Sequence, residues 1–67
     1  MNIILNGENR SVPHGTTVSG LLDMLGIQKD RVAVEVNVAV IKKDSYGEHL
    51  LTEGDQVEVV SFVGGGS

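Results

Sequence analysis

Apolar and polar positions alternate along the chain in ways that predict the order of its secondary-structure elements. The first apolar run, residues 2–6, is closed by Asn6-Gly7, a dipeptide typical of a two-residue hairpin turn. We therefore expect a second short strand around residues 10–12 that pairs back on the first. Pro13 ends this strand, because proline cannot donate a hydrogen bond to a sheet.

The next segment shows the clearest pattern, that of one amphipathic α-helix. Its apolar residues lie three or four positions apart, which places them on a single face. They are Val18, Leu21, Leu22 and Leu25. The hydroxyl of Thr16 or Thr17 can cap the N-terminus, and Gly26 lies where a left-handed C-cap is expected.

Alternation with a period of two predicts strands in the second half of the chain. Valines at every second position predict one strand over residues 31–40, with a local turn or bulge at Asn37. The polar segment that follows, residues 42–49, predicts one helical turn anchored by Tyr46 and Leu50.

The final predicted strand covers residues 56–63 and has two different faces. Val57 and Val59 lie on one face, which we expect to pack on the helix. Val60 and Phe62 then point away from the helix. They form an apolar patch that continues through the end of the strand.

The order of these elements predicts an α+β fold, in which one main helix packs across a small mixed sheet. The first and last strands are both apolar, so we expect them side by side at the sheet centre. Residues 1–63 form the domain, and residues 64–67 form a flexible glycine-rich tail.

Composition narrows the possible functions. The chain has 67 residues, no cysteine and a formal net charge of −4. It has little room for an enclosed substrate pocket, and it shows no nucleophile–base pair or metal-ligand spacing, so we expect neither an enzyme nor a bound cofactor or metal. The acidic balance argues against nucleic acid, because phosphate binding needs clustered lysine and arginine. With no signal peptide or membrane span, we expect a cytoplasmic protein.

Several fragments in order resemble the ThiS family, the sulfur carriers of thiamine biosynthesis. The fragments are Thr17-Val18 with Leu21-Leu22 and Leu25, Val34-Glu35-Val36-Asn37, Gly54-Asp55-Gln56-Val57-Glu58-Val59-Val60, and Phe62-Val63-Gly64-Gly65-Gly66. Together they span almost the whole chain. The resemblance implies a β-grasp (ubiquitin-like) fold.

The resemblance also implies a chemical role for the C-terminal glycines. It implies that an activating enzyme uses ATP to adenylate the terminal glycine carboxylate. In this sequence the resemblance assigns that carboxylate to Gly66, and Gly65 is the other glycine of the terminal pair. Sulfur relayed from a cysteine desulfurase converts the adenylate to a thiocarboxylate, which thiazole synthase consumes to build the thiazole ring of thiamine. Glycines such as Gly64 suit a tail that threads a narrow channel, because they lack a Cβ atom.

The sequence departs from the family pattern at three places. Val38 stands where the family often has glycine, and Lys42-Lys43 where proline and arginine are common. Ser67 follows the glycines, so the free carboxylate of this chain belongs to serine. We infer that Gly66 is the functional terminus, exposed once Ser67 is trimmed; a serine added to a genuine glycine end, or a mere linker, are the alternatives.

The sequence allows more than one role for the apolar patch and more than one function for the chain. Val60, Phe62 and Val63 either dock the activating enzyme or the synthase, or are covered by a loop or by self-association. The chain is either the thiamine sulfur carrier or a related carrier for molybdopterin or amino-acid biosynthesis. A ubiquitin-like binding module without acyl chemistry is the third hypothesis.

Overall fold

The computed structural model describes residues 1–62, which form a five-stranded sheet with one α-helix packed across it. The elements in chain order are β1 (Asn2–Leu5), β2 (Glu8–Ser11), α1 (Val18–Leu25), a 3₁₀ turn (Lys29–Arg31), β3 (Val32–Val36), β4 (Ala39–Ile41), a second 3₁₀ turn (Lys43–Ser45) and β5 (Gln56–Ser61). This is the β-grasp arrangement that the sequence predicts.

The helix begins and ends where its capping residues predict. The hydroxyl of Thr17 accepts a hydrogen bond from the Gly20 backbone N–H at 3.0 Å, so Thr17 rather than Thr16 is the N-cap. Gly26 adopts a left-handed conformation with φ of 72° and closes the last turn. The buried face of the helix comprises Val18, Leu21 and Leu22, and Leu25 packs at its margin.

The strand order across the sheet is β2-β1-β5-β3-β4. The first and last strands are adjacent and parallel, with Ile4 opposite Gln56 and Leu5 opposite Val57, which confirms the predicted central pair. The other neighbours are antiparallel. At the predicted hairpin, Asn6 (φ 49°) and Gly7 (φ 86°) both adopt the positive φ of a tight two-residue turn.

The single strand predicted for residues 31–40 is wrong, because the chain reverses in its middle. Asn37 (φ 52°) and Val38 (φ 74°) form a two-residue turn between β3 and β4. The turn at Asn37 is confirmed. Valine is not typical of turns, and Val38 continues the alternation of valines at every second position. The pattern therefore does not indicate where the chain reverses.

The segment before β5 is anchored differently from the prediction. Tyr46 is buried, and its hydroxyl donates to the Val32 carbonyl at 3.5 Å. Leu50 is 58% exposed, however, and the neighbouring Leu51 fills the core in its place. The Leu51 backbone N–H donates to the Thr16 carbonyl at 2.9 Å, and this pairing with the start of the helix sets which of the two leucines faces inward.

The hydrophobic core lies between the helix and one face of the sheet. Its sheet residues are Ile3, Leu5, Val32, Val34, Val36 and Val57. Because successive side chains alternate across a strand, the intervening residues lie on the opposite side, which we call the outer face.

Candidate functional site

The strand that leads to the C-terminal glycines, β5, occupies the centre of the sheet. It lies between the parallel strand β1 and the antiparallel strand β3. Its pairing with β3 extends one residue past the strand, because the Phe62 backbone N–H donates to the Arg31 carbonyl at 2.9 Å. The chain is therefore held by main-chain hydrogen bonds up to the last described residue.

A buried carboxylate fixes the start of this strand. Asp55 accepts hydrogen bonds from the backbone N–H of Thr52 at 2.8 Å, from the Thr52 hydroxyl at 3.0 Å and from the Asn37 amide at 2.9 Å. Burial opposes the charged form of Asp55, but these hydrogen bonds outweigh it and lower the pKa of the carboxyl below its ordinary value. The Asn37 side chain also accepts a hydrogen bond from the Gln56 N–H at 3.0 Å. Asn37 of the β3–β4 turn therefore binds both Gln56, where β5 begins, and Asp55 just before it.

A second asparagine holds the middle of β5 where its neighbour strand stops. Strand β1 ends at Leu5, and the chain turns away at Asn6. The Asn6 side-chain oxygen accepts from the Val59 N–H at 2.9 Å, and its amide lies 3.4 Å from the Val59 carbonyl oxygen. Asn6 thus replaces the missing strand residue and satisfies an otherwise exposed edge of β5.

The two faces of β5 differ as the sequence predicts. Val57 is buried and Val59 packs against the core, whereas Val60 is 54% exposed and Phe62 is 64% exposed. An exposed valine and phenylalanine on one strand form an apolar surface beside the start of the tail. Their proposed role in docking stays a prediction.

The remaining predicted site residues lie outside the described residues. They are Val63, Gly64, Gly65 and Gly66, together with Ser67. The division into a domain of residues 1–63 and a tail of residues 64–67 also stays a prediction.

Sequence reasoning missed an acidic pair on the outer face. Glu35 in β3 lies directly opposite Glu58 in β5. Each glutamate appears in the sequence as an ordinary polar position between valines. Only the register between β3 and β5 brings them together, although the two glutamates lie 23 positions apart in the chain, and no local pattern reports that register.

Neither a metal site nor a membrane-spanning helix is found in the described part of the chain. Within residues 1–62, no three His, Cys, Asp or Glu side chains are close enough to hold a metal ion. No helix in the same part of the chain is long and apolar enough to cross a membrane. The cytoplasmic location stays a prediction.

The fold and this strand define a small ubiquitin-like protein of the β-grasp class, in which the central strand runs directly into the C-terminal segment. The sequence model of the ThiS family matches residues 3–66. The chain therefore belongs to the ThiS family.

Individual relatives agree with this assignment. A sulfur carrier protein ThiS from Bacillus subtilis is 38% identical over 63 residues, covering 92% of this chain and 96% of the relative. The crystal structure of the thiamine biosynthesis protein ThiS from Geobacter metallireducens superimposes with a TM-score of 0.84 at 31% identity, covering 92% of this chain and 94% of that one.

A thiazole synthase from Magnetococcus marinus is 52% identical over 66 residues, which is 98% of this chain but 20% of the relative. The chain spans about one fifth of the length of the thiazole synthases that it matches.

Proposed function

We propose that this chain is a sulfur carrier of thiamine biosynthesis, in which the carboxylate of Gly66 is converted to a thiocarboxylate. The observation that carries the proposal is the ThiS family match, which runs from residue 3 to Gly66 and so includes the glycines. Ser67 lies one residue beyond it, which supports Gly66 as the working terminus.

The proposed chemistry follows from the weakness of a carboxylate as an electrophile. A Gly66 carboxylate oxygen attacks the α-phosphorus of ATP in an activating enzyme, and pyrophosphate leaves. The outer sulfur of a cysteine persulfide, supplied through a cysteine desulfurase relay, then attacks the acyl carbon and displaces AMP, which gives an acyl disulfide. A second thiol attacks the cysteine sulfur of this acyl disulfide, forms a disulfide with that cysteine and releases the thiocarboxylate. The product is the thiocarboxylate, whose sulfur thiazole synthase incorporates into the thiazole ring.

In this proposal the chain is a co-substrate rather than an enzyme, and the ATP belongs to the partner. The core of the small domain is occupied by packed side chains, which leaves the reaction to the partner's active site. Glycine at residues 64–66 supports this division, because backbone without Cβ atoms can enter a narrow channel. The exposed Val60 and Phe62 then supply the apolar contact that keeps the domain seated while the tail reaches in.

Intact mass spectrometry tests the proposal directly. We expect a chain ending at Gly66 to gain the mass of one oxygen-to-sulfur exchange when incubated with its activating enzyme, ATP and a sulfur source. The chain ending at Ser67 serves as the matched control and stays unmodified. An unmodified Gly66 form, with partners that modify a known carrier, would refute the acyl chemistry and leave a binding module.

Exchanging single exposed apolar residues tests the docking role. We expect Val60→Ser and Phe62→Ser to raise the KM of the activating enzyme for the carrier while changing kcat little. Met24→Ser is the control, because Met24 is 50% exposed on the helix, away from β5. Equal effects at all three positions would contradict a localised docking surface.

A further inference from the structure

The outer face of the sheet carries two glutamates that face one another, and neither forms an ion pair within residues 1–62. Glu35 and Glu58 occupy directly opposed positions of the antiparallel pair β3–β5. Directly opposed side chains in such a pair have Cβ atoms roughly 5 Å apart, and like charges at that separation are destabilising. This pair therefore works against the fold that contains it.

No lysine, arginine or histidine in the described part of the chain forms an ion pair with either glutamate. The one ion pair there joins Lys43 to Asp30, and it lies away from the two strands. Neither glutamate side chain takes part in a hydrogen bond within residues 1–62. Sequences that break a local rule in this way do so mostly at functional sites.

Exposed apolar side chains border the acidic pair. Val40 of β4 lies opposite Glu35 and is 70% exposed. Two positions along the β3–β5 ladder, Val60 pairs with Ala33 on the same face, and Phe62 follows toward the tail. We call the surface formed by Val40, Glu35, Glu58, Val60 and Phe62 the acidic-apolar patch. Protein interfaces combine apolar side chains with polar groups, and this patch presents both kinds.

The charge of the patch decides what kind of partner fits. A second copy of this chain would bring two more carboxylates against the first two. A nucleic acid or an anionic membrane would also be repelled. An arginine or lysine side chain of a protein partner, in contrast, would be attracted by both carboxylates and could form charge-assisted hydrogen bonds with each.

We propose that the acidic-apolar patch docks thiazole synthase and receives a basic side chain of that enzyme between Glu35 and Glu58. The inference rests on the proposed function. The patch runs along β5 toward the glycines that both partner enzymes must reach. One observation favours the synthase as the occupant: the thiazole synthases that match this chain hold a homologous domain in the same polypeptide.

Affinity measurements on charge-neutralised variants test the inference. The dissociation constant of the full-length chain for thiazole synthase from the same genome is measured by calorimetry at several salt concentrations. We expect the Glu35→Gln/Glu58→Gln double variant to raise the dissociation constant on the order of tenfold or more and to flatten its salt dependence. The same double variant should resist urea at least as well as the parent, because the repulsion is gone.

A matched control removes two negative charges elsewhere. Glu8 and Glu48 are exposed, and the Glu8→Gln/Glu48→Gln variant should bind the synthase within about twofold of the parent. Equal losses in both double variants would overturn the inference, because net charge alone would explain them. A Glu35→Gln/Glu58→Gln variant that binds as the parent does, or that loses affinity only for the activating enzyme, would also overturn it.

Measurements on the parent chain distinguish a failure of the docking inference from a failure of the proposed function. If the Gly66 form is converted to a thiocarboxylate and binds the synthase, but neutralising the pair has no effect, only the docking inference fails. If the Gly66 form is neither converted nor bound, the proposed function fails and the docking inference fails with it.

Discussion

Val38 adopts a backbone conformation that a β-branched residue rarely takes. It follows Asn37 in the turn between β3 and β4 and has a φ of 74°, in the left-handed region. Its side chain is 85% exposed, so the valine gains almost nothing from burial. Replacing it with glycine removes the steric clash of Cβ with the backbone and sacrifices very little packing.

The expected change in stability is the difference between two terms. Holding a non-glycine residue in this region costs roughly 1–3 kcal/mol. Glycine in turn makes the unfolded chain more flexible, which costs about 0.5–1 kcal/mol. We therefore expect Val38→Gly to raise the free energy of unfolding by about 1 kcal/mol, equivalent to about 4–8 °C in Tm for a domain of this size.

Urea denaturation of matched variants provides the assay. Val40 is also an exposed valine, two residues further on, but it lies in β4 with its φ outside the positive region. We expect Val40→Gly to lower the free energy of unfolding by about 0.5–1 kcal/mol, since only the entropic term remains. The slope of the free energy against urea should stay constant. If Val38→Gly lowers the free energy of unfolding, as is expected of Val40→Gly, the inference of backbone strain at Val38 is refuted.

Three further predictions concern the segments that hold β5. Folding lowers the pKa of Asp55, so the contribution of this carboxylate to stability is complete above its ordinary pKa of 3.8 and is lost as the pH falls through the lower folded value. The Asp55→Asn variant should therefore show a smaller fall in the free energy of unfolding when the pH is lowered through this range. Asn6→Gly keeps the positive φ but removes the side chain, so hydrogen exchange should show faster exchange at the Val59 amide, with a stability loss of about 0.5–1.5 kcal/mol; unchanged exchange would contradict the role of Asn6. Leu51→Ala should cost about 2–5 kcal/mol in urea denaturation, whereas Leu50→Ala should cost under about 0.5 kcal/mol; the reverse ranking would contradict the observed core.

The sequence predicts best those features that a few neighbouring residues decide. The helix bounds follow from Thr17, Gly26 and the spacing of the leucines, and the first hairpin follows from Asn6-Gly7. The prediction that Leu50 anchors its segment was wrong, because a hydrogen bond to the start of the helix, not the local pattern, sets the orientation of that segment.

The same distinction separates the predicted from the unpredicted parts of the site. The exposure of Val60 and Phe62 follows from strand alternation once Val57 is assigned to the core. The opposition of Glu35 and Glu58 depends on the register between β3 and β5, which the local pattern around neither glutamate reports. That register is set partly at Asn37, whose side chain and backbone both bond Gln56 and so determine which residues of β3 and β5 meet.

Strand β5 presents residues of two kinds on its two faces. Val57 faces the core, while Glu58 and Val60 face outward on the same backbone. The outward residues contribute little burial, and like charges placed directly opposite, as at Glu35 and Glu58, are destabilising. Substitutions on the outer face should therefore change partner affinity without unfolding the domain, whereas substitutions at Val57 should do both, because a displaced strand also displaces the patch and the tail that follows it.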